Sequence, residues 1–191
     1  MTGEPRKVVV IGASAGAVQA LLAILPALPA SFALPILVVV HIPPDRDNML
    51  VPLLQSKCQI TVKEAEDKEP IENGVVYFAP SDYHMLVETN HCLALSTDEA
   101  VNFSRPSIDV LFESAADAFG AEVVGVILTG ANHDGAAGLR AIQAAGGSVI
   151  VQDRTEAYAT AMPEAALRAC PSASSMTIDA ITTYLTSLRA A

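Results

Sequence analysis

The sequence has little of what disulfide-rich, nucleic-acid-binding and metal-binding proteins need. It contains three cysteines, Cys58, Cys92 and Cys170, which lie far apart and form no Cys-x-x-Cys pair. So sparse a set fits neither a disulfide framework nor a zinc site, and a reducing cytoplasm is the simpler setting. Basic residues are few as well, with 11 Lys and Arg against 21 Asp and Glu, a net charge of −10. Such a chain repels phosphate backbones and anionic lipid, so we expect no nucleic-acid partner.

Charge is missing altogether from residues 8–44, a stretch long enough to span a bilayer. Pro26, Pro29 and Pro35 would each remove a helical hydrogen bond from such a span. The stretch also divides into β-branched, glycine-bearing and alanine/leucine parts, which is typical of a buried strand, helix and strand. Glu4 weakens the charged region that a signal peptide requires. We therefore expect no membrane insertion and a cytoplasmic product.

Apolar residues make up the bulk of the chain. Of its 191 residues, 51% are hydrophobic and 17% are charged, which supplies ample surface for a core and excludes disorder as the main state. At the usual 100 to 200 residues per domain, the length predicts a single domain over residues 1–191.

The first 40 residues predict a β-α-β unit. Val8 to Ile11 form a short β-branched run that ends at Gly12, as in a strand buried on both faces. A helix is expected from about Gly16 to Pro26, and the β-branched pattern resumes over residues 36–40. Such units require parallel strands joined by a right-handed connection.

The middle of the chain predicts shorter elements. Residues 49–54 predict a helix turn, 60–62 a strand, and 64–72 a charged, solvated link. Strands are expected at 75–78, 85–88 and 92–95, the last two joined by Thr89, Asn90 and His91 as an antiparallel hairpin.

The second half predicts another β-α-β unit. Ser107 caps a helix whose apolar stripe runs from Ile108 to Phe119 and which Gly120 ends. A strand at 123–128, a helix from Gly135 to about residue 145 and a strand at 148–151 follow. Helices starting at Pro163 and covering 178–188 close the chain. The predicted fold class is α/β, a three-layer αβα domain with a mostly parallel sheet and an antiparallel hairpin, whose ligands lie beyond the carboxyl ends of the strands.

Candidate chemistry lies at three of these strand ends. Residues 12–16 spell Gly-x-Ser-x-Gly between a strand and a helix, the setting of a nucleophile elbow that would expose Ser14. A phosphate- or nucleotide-binding turn is the alternative, although Ser14 and Ala17 occupy two glycine positions of the dinucleotide fingerprint. His41 follows the next strand, where it could act as general base or be an ordinary histidine at a strand exit.

Asp134 follows the strand at 123–128 and could orient His41. Because Asp is also a common first residue of a helix, a capping role is the alternative. Together the three strand ends supply a nucleophile, a base and an orienting acid, a set that is recognised by geometry rather than by chain order.

These motifs resemble the catalytic domain of the chemotaxis protein-glutamate methylesterases, the CheB type. The resemblance covers nearly the whole chain and rests on five ordered segments. They are Gly12 to Gly16; His41-Ile42-Pro43; Ala79-Pro80 with Asp82 and His84; Arg105 to Asp109; and Gly125 to Gly135.

The resemblance implies a serine hydrolase with Ser14 as nucleophile, His41 as base and Asp134 as its partner. Its substrate would be glutamate γ-methyl esters on the cytoplasmic helices of methyl-accepting chemotaxis receptors, and some members also deamidate glutamine. The backbone N–H groups of Ala15 and Ala131 would hold the oxyanion. No metal or organic cofactor is implied.

The sequence also departs from the family pattern. Ala131 and Asn132 stand where the family loop usually has Met and Gly, and the usual N-terminal receiver domain is not expected, because the first strand begins at Val8. Since receptor helices are themselves acidic, recognition must rely on local contacts. Arg105 and Arg46 are candidates for such contacts; the alternative is that both are ordinary solvated surface residues. These departures leave a catalytically silent docking module of the same fold as the alternative function.

Overall fold

β-branched runs build the centre of this protein. A computed structural model describes residues 6–41 and 49–189. Within them lie a parallel sheet of seven strands and a separate two-stranded antiparallel hairpin. The sheet strands are β1 (Val8–Ala13), β2 (Ile36–Val40), β3 (Thr61–Glu64), β4 (Val75–Phe78), β7 (Val123–Ile127), β8 (Ser148–Gln152) and β9 (Ser174–Met176), and the hairpin strands are β5 (His84–Val87) and β6 (Leu93–Ser96).

Strand order in the sheet is β3-β4-β2-β1-β7-β8-β9. The three central strands, β2, β1 and β7, are buried at every position. This is what a parallel sheet covered on both faces requires, and it explains why these segments carry uninterrupted apolar runs rather than alternation.

Helices cover both faces of the sheet. They are α1 (Ala17–Ile24), α2 (Leu50–Gln55), α3 (Ile108–Phe119), α4 (Ala136–Ala144), α5 (Ala161–Ala169) and α6 (Ile178–Ser187). Val9 and Ile11 of β1 share one core with α1, α2 and α6, whereas Val8 and Val10 share a second core with α3, α4 and α5. The hairpin packs into the second core, against α3.

α3 and α4 lie very close together at Gly138. A Cβ there would lie 2.5 Å from Phe112 Cβ and 3.1 Å from the backbone Cα of Asp109. Only a residue without a side chain allows this approach, which brings the amino-terminal turn of α3 next to the loop that precedes α4.

The predicted three-layer fold with its hairpin is confirmed, and several boundaries differ. β1 continues two residues past Ile11, to Ala13, because pairing with β2 and β7 extends through the glycine. The short strand β9 was not predicted, since Ser174 and Ser175 carry no β-branched signal. Pro163 is the third residue of α5 rather than its first. The link at 64–72 is not wholly solvated, because Ala65 and Ile71 are buried.

Over the described residues, no helix combines the length and the apolar character that crossing a bilayer requires.

Candidate active site

Three neighbouring strands bring the predicted residues to one edge of the sheet. Ala13 of β1 is paired with Val40 of β2, so Ser14 and His41 leave the sheet side by side. The His41 N–H donates to the Ala13 carbonyl at 3.2 Å. On the other side of β1, the Ser14 N–H donates to the carbonyl of Thr129, just beyond β7, at 3.0 Å. The segment that carries Asp134 therefore begins next to Ser14.

The turn between β1 and α1 requires glycine at its end. Gly16 has φ +87°, and a Cβ there would lie 2.6 Å from the Cβ of Tyr158. The turn is closed by a 2.9 Å hydrogen bond from the Ala17 N–H to the Ser14 carbonyl, which leaves the Ser14 side chain half-buried at the mouth of the site. This strand-turn-helix setting is the one that a nucleophile elbow needs.

His41 and Asp134 are joined by a hydrogen bond. His41 Nε2 lies 2.8 Å from Asp134 Oδ2, and the side chains are 13% and 0% exposed. A carboxylate without solvent contact, bonded to a histidine that still reaches the surface, can orient the ring and stabilise its protonated form.

Asp134 is also the cap of α3. Its carboxylate accepts from the backbone N–H groups of Ile108 at 2.6 Å and Asp109 at 3.2 Å. The hydroxyl of Ser107 donates to the same carboxylate at 2.8 Å. Ser107 is therefore the N-cap residue by position, but the expected side-chain cap comes from Asp134 instead. The capping role weighed for Asp134 is real, although the helix is α3 and not the following α4.

These contacts explain the acidity of Asp134. Burial, the largest influence, raises the pKa of its carboxyl, but hydrogen bonds from His41, the Ile108 N–H, Asn102 and Ser107 together hold that pKa below the ordinary value for aspartate. The group therefore remains a carboxylate beside His41, as an orienting acid must.

Asn102 joins Asp134 to a second buried carboxylate. Its Nδ2 lies 2.8 Å from Asp134 Oδ1 and 2.8 Å from Asp109 Oδ2, so each of the two amide hydrogens reaches one carboxylate. Burial raises the pKa of Asp109, and the charge of Asp134 adds to that increase against hydrogen bonds from Gly138 and Asn102. Sequence reasoning missed Asn102. Its left-handed backbone, φ +52°, is one that asparagine tolerates well, but this conformation is visible only in the structure.

Asn132 contacts both partners of the His41–Asp134 pair. Its Oδ1 accepts the Asp134 N–H at 3.0 Å, and its Nδ2 lies 3.1 Å from His41 Nδ1. The sequence marked Asn132 as a departure from the family pattern and assigned it no contact with His41.

The remaining predicted donors lie around Ser14. In the part of the chain that the structure describes, the Ser14 hydroxyl makes no hydrogen bond, and the N–H groups of Ala15 and Ala131 have no protein acceptor. Thr129 Oγ1 donates to the Ala15 carbonyl at 2.8 Å and accepts the Ala159 N–H at 2.9 Å, which ties together the loops that present these groups.

Arg105 is engaged within the protein. Its Nε and Nη2 donate to Asp82 Oδ1 at 3.0 and 2.7 Å, and its Nη1 donates to the carbonyls of Thr97 and Asp98. Four of its five N–H bonds are thus used to anchor the loop before α3, and a substrate contact by Arg105 stays a prediction. Arg46, like Ile42 and Pro43 of the quoted motif, lies outside the described residues.

Among residues 6–41 and 49–189, no cluster of three or more His, Cys, Asp or Glu side chains is arranged to hold a metal ion. The site instead combines a half-buried hydroxyl, a carboxylate-bound imidazole and backbone N–H groups at the start of a helix. This combination can support acyl transfer.

Comparisons with known proteins agree on one family. The sequence profile of the CheB methylesterase family matches residues 9–185. A relative from Leptospira interrogans is 48% identical over 161 residues, which cover 84% of this chain and 83% of the relative. The protein-glutamate methylesterase/protein-glutamine glutaminase of Archaeoglobus fulgidus is 42% identical over 83% of this chain, which spans 46% of that protein. The crystal structure of the Thermotoga maritima CheB methylesterase catalytic domain superposes with a TM-score of 0.91 at 34% identity, covering 96% of this chain and 98% of that one.

Proposed function

Because the chain belongs to the CheB methylesterase family, we propose that it hydrolyses glutamate γ-methyl esters on the cytoplasmic helices of methyl-accepting chemotaxis receptors. The observation that carries this proposal is the hydrogen bond between His41 and the buried Asp134, beside the turn that presents Ser14. The names of relatives such as the Archaeoglobus fulgidus enzyme support the same substrate class. The reaction belongs in the cytoplasm, where these helices lie.

The proposed reaction proceeds in two acyl-transfer steps. Ser14 Oγ bonds to the ester carbonyl carbon while its proton passes to His41, and the carbonyl electrons move to oxygen. When the tetrahedral intermediate collapses, methoxide leaves and takes the proton from His41 as methanol. A water molecule then attacks the acyl-serine and gives one proton to His41, which passes it to Ser14 Oγ as the acyl bond to that oxygen breaks. Glutamic acid departs and loses its remaining proton to solvent.

Asp134 stabilises the protonated form of His41 in both steps. Its pKa lies below that of an ordinary aspartate, so it remains an anion next to the imidazolium that forms. Since it is fully buried and held by donors from α3, it cannot swing away from the ring. The orientation of the imidazole is therefore set before the substrate arrives.

The N–H groups of Ala15 and Ala131 are the proposed oxyanion donors. Neither has an acceptor within the described protein, and Ala15 precedes α1, whose amino-terminal end favours negative charge. Removal of one such donor typically costs about 2.7 to 4 kcal/mol of transition-state stabilisation. Glutamine deamidation needs the same groups, with ammonia in place of methanol as the product that leaves.

The decisive experiment measures methanol release from a methylated receptor cytoplasmic fragment. Ser14→Ala should reduce release by a factor on the order of 10⁶, because no attacking oxygen remains. Ser56→Ala is the matched control, since Ser56 is an exposed serine at the end of α2 whose hydroxyl, among the described residues, bonds only the Leu53 carbonyl. Both variants should unfold at the same denaturant concentration as the wild type. Retained hydrolysis in folded Ser14→Ala would disprove the proposed nucleophile.

A silent docking module remains the second candidate, and one observation favours it. The Ser14 hydroxyl makes no hydrogen bond with His41 in the described part of the chain. This candidate predicts receptor binding without methanol release and no labelling of Ser14 by an organophosphonate. Labelling that Ser14→Ala abolishes would exclude it.

A further inference from the structure

Asn132 lies between the backbone of Asp134 and the ring of His41, and its two contacts determine how its amide is oriented. The Asp134 N–H can only donate, so the atom 3.0 Å from it must be the amide oxygen. The NH₂ group therefore faces His41, with Nδ2 3.1 Å from Nδ1. Asparagine side chains commonly bond the backbone two residues ahead in this way.

The same contacts determine where the proton of neutral His41 resides. Because the Asn132 NH₂ group can only donate, His41 Nδ1 must be the acceptor and carries no proton. The proton is then on Nε2, which donates it to Asp134 Oδ2 at 2.8 Å. The contact at Nδ1 and the contact at Nε2 therefore require the same tautomer, with the proton on Nε2.

Catalysis needs His41 Nδ1, the nitrogen to which the Asn132 amide is hydrogen-bonded. Since Nε2 is bonded to the buried Asp134, only Nδ1 can take the Ser14 proton, the reverse of the ring assignment in the chymotrypsin triad. Once Nδ1 is protonated it can no longer accept from the Asn132 NH₂ group, and two donors would face each other. The amide must therefore leave Nδ1 before or during attack by Ser14.

We propose that Asn132 is a latch on the general base: its side-chain amide occupies His41 Nδ1 in the resting protein, and attack by Ser14 requires the amide to move off that nitrogen. Asn132 is on this view a positioning residue that acts through His41. The proposal rests on the proposed function, because it assigns His41 as the base for Ser14. It also accounts for the Ser14 hydroxyl having no hydrogen bond to His41 within the described residues.

Asn132→Ser separates the two contacts of the side chain. A serine hydroxyl can still accept the Asp134 N–H two residues ahead, but it is too short to reach His41. Asn132→Asp has the opposite effect, since a carboxylate can only accept and favours a proton on Nδ1. Asn90→Ala is the control, because Asn90 bonds the Cys92 N–H in the remote hairpin turn.

The kinetic readout is the rate at which an organophosphonate labels Ser14, with methanol release measured in parallel. The net free energy of one neutral hydrogen bond corresponds to about two- to tenfold in rate. We expect Asn132→Ser to be labelled faster by that factor, Asn132→Asp more slowly than the wild type, and Asn90→Ala at the wild-type rate. Labelling of Asn132→Ser at or below the wild-type rate would overturn the latch.

A spectroscopic readout tests the contact in the unaltered protein. In ¹⁵N-labelled wild type we expect His41 Nδ1 to give the signal of an unprotonated ring nitrogen. We also expect a scalar coupling across the hydrogen bond to Asn132 Nδ2, lost in Asn132→Ser. Absence of that coupling in the wild type would overturn the latch even if a variant failed to fold.

The two proposals fail in different ways. Labelling rates as expected, without methanol release from any receptor ester, would refute the substrate and retain the latch. Normal methanol release with equal labelling of wild type and Asn132→Ser would refute the latch and retain the function. Neither labelling nor methanol release in any variant would refute both.

Discussion

Removal of the Asp134 carboxylate should destabilise the whole domain as well as abolish catalysis. In Asp134→Ala the first turn of α3 loses its cap, which typically costs about 1 kcal/mol. The Ser107 hydroxyl and the Asn102 amide lose an acceptor inside the protein, at about 1 to 3 kcal/mol each. Because the variant no longer buries a charge, we expect the low end of that sum, about 3 to 5 kcal/mol. At about 2 to 4 °C per kcal/mol for a chain of this size, Tm should fall by about 6 to 20 °C.

Urea unfolding at pH 7 measures this difference directly. The control is Asp117→Ala, which removes the same group from an exposed position of α3 and should change stability by less than about 0.5 kcal/mol. Ser14→Ala should likewise leave stability unchanged, since the Ser14 hydroxyl makes no hydrogen bond in the described chain. If Asp134→Ala were as stable as Asp117→Ala, the Asp134 carboxylate would not stabilise α3.

The same difference should depend on pH with a definite sign. Because the folded-state pKa of Asp134 is depressed, its contribution is fully present above the unfolded-state value of about 3.9. The contribution is lost as pH falls through the folded-state pKa. The stability gap between wild type and Asp134→Ala should therefore be constant near neutrality and shrink below about pH 4. A gap that widened on acidification would contradict the depressed pKa.

Three further substitutions test the frame around the site. Gly138→Ala places a Cβ 2.5 Å from Phe112 Cβ; we expect a loss of about 1 to 3 kcal/mol in urea unfolding, and unchanged stability would contradict the close packing of α3 on α4. Thr129→Val removes the hydroxyl between two loops; about 1 to 3 kcal/mol should be lost, whereas Thr129→Ser should retain most of it. Arg105→Ala frees Asp82 and the loop before α3; faster proteolysis of that loop is expected, and an increase in KM alone would instead indicate a substrate contact.

Local sequence pattern predicted most of the fold, for a physical reason visible in particular strands. β2 and β4 were predicted to the residue and β7 to within one, because a strand buried on both faces must be apolar at every position. The apolar stripe of α3 was equally clear, since the six apolar residues at helical spacing are all buried: Ile108, Leu111, Phe112, Ala115, Ala116 and Phe119. β9 was not predicted because it is a short edge strand that begins with two exposed serines and so carries no apolar pattern.

The candidate site divides in the same way. Sequence alone placed Ser14, His41 and Asp134 at strand ends, because a glycine turn after an apolar run and a polar residue after a β-branched run are local patterns. What those side chains contact is not local. Asn102 and Ser107 reach Asp134 across 32 and 27 residues, and His41 reaches it across 93.

The sequence by itself therefore determined the layers, the hairpin and the strand ends where the chemistry lies, because burial and turn geometry act on neighbouring residues. Only the tertiary structure decided that β1 lies between β2 and β7, that Asp134 caps α3 while bonding His41, and that Asn132 holds Nδ1. These features depend on strand order and on hydrogen bonds of about 3 Å between distant segments. The geometry of such bonds is set by tertiary packing, and the periodicity of the sequence carries no information about it.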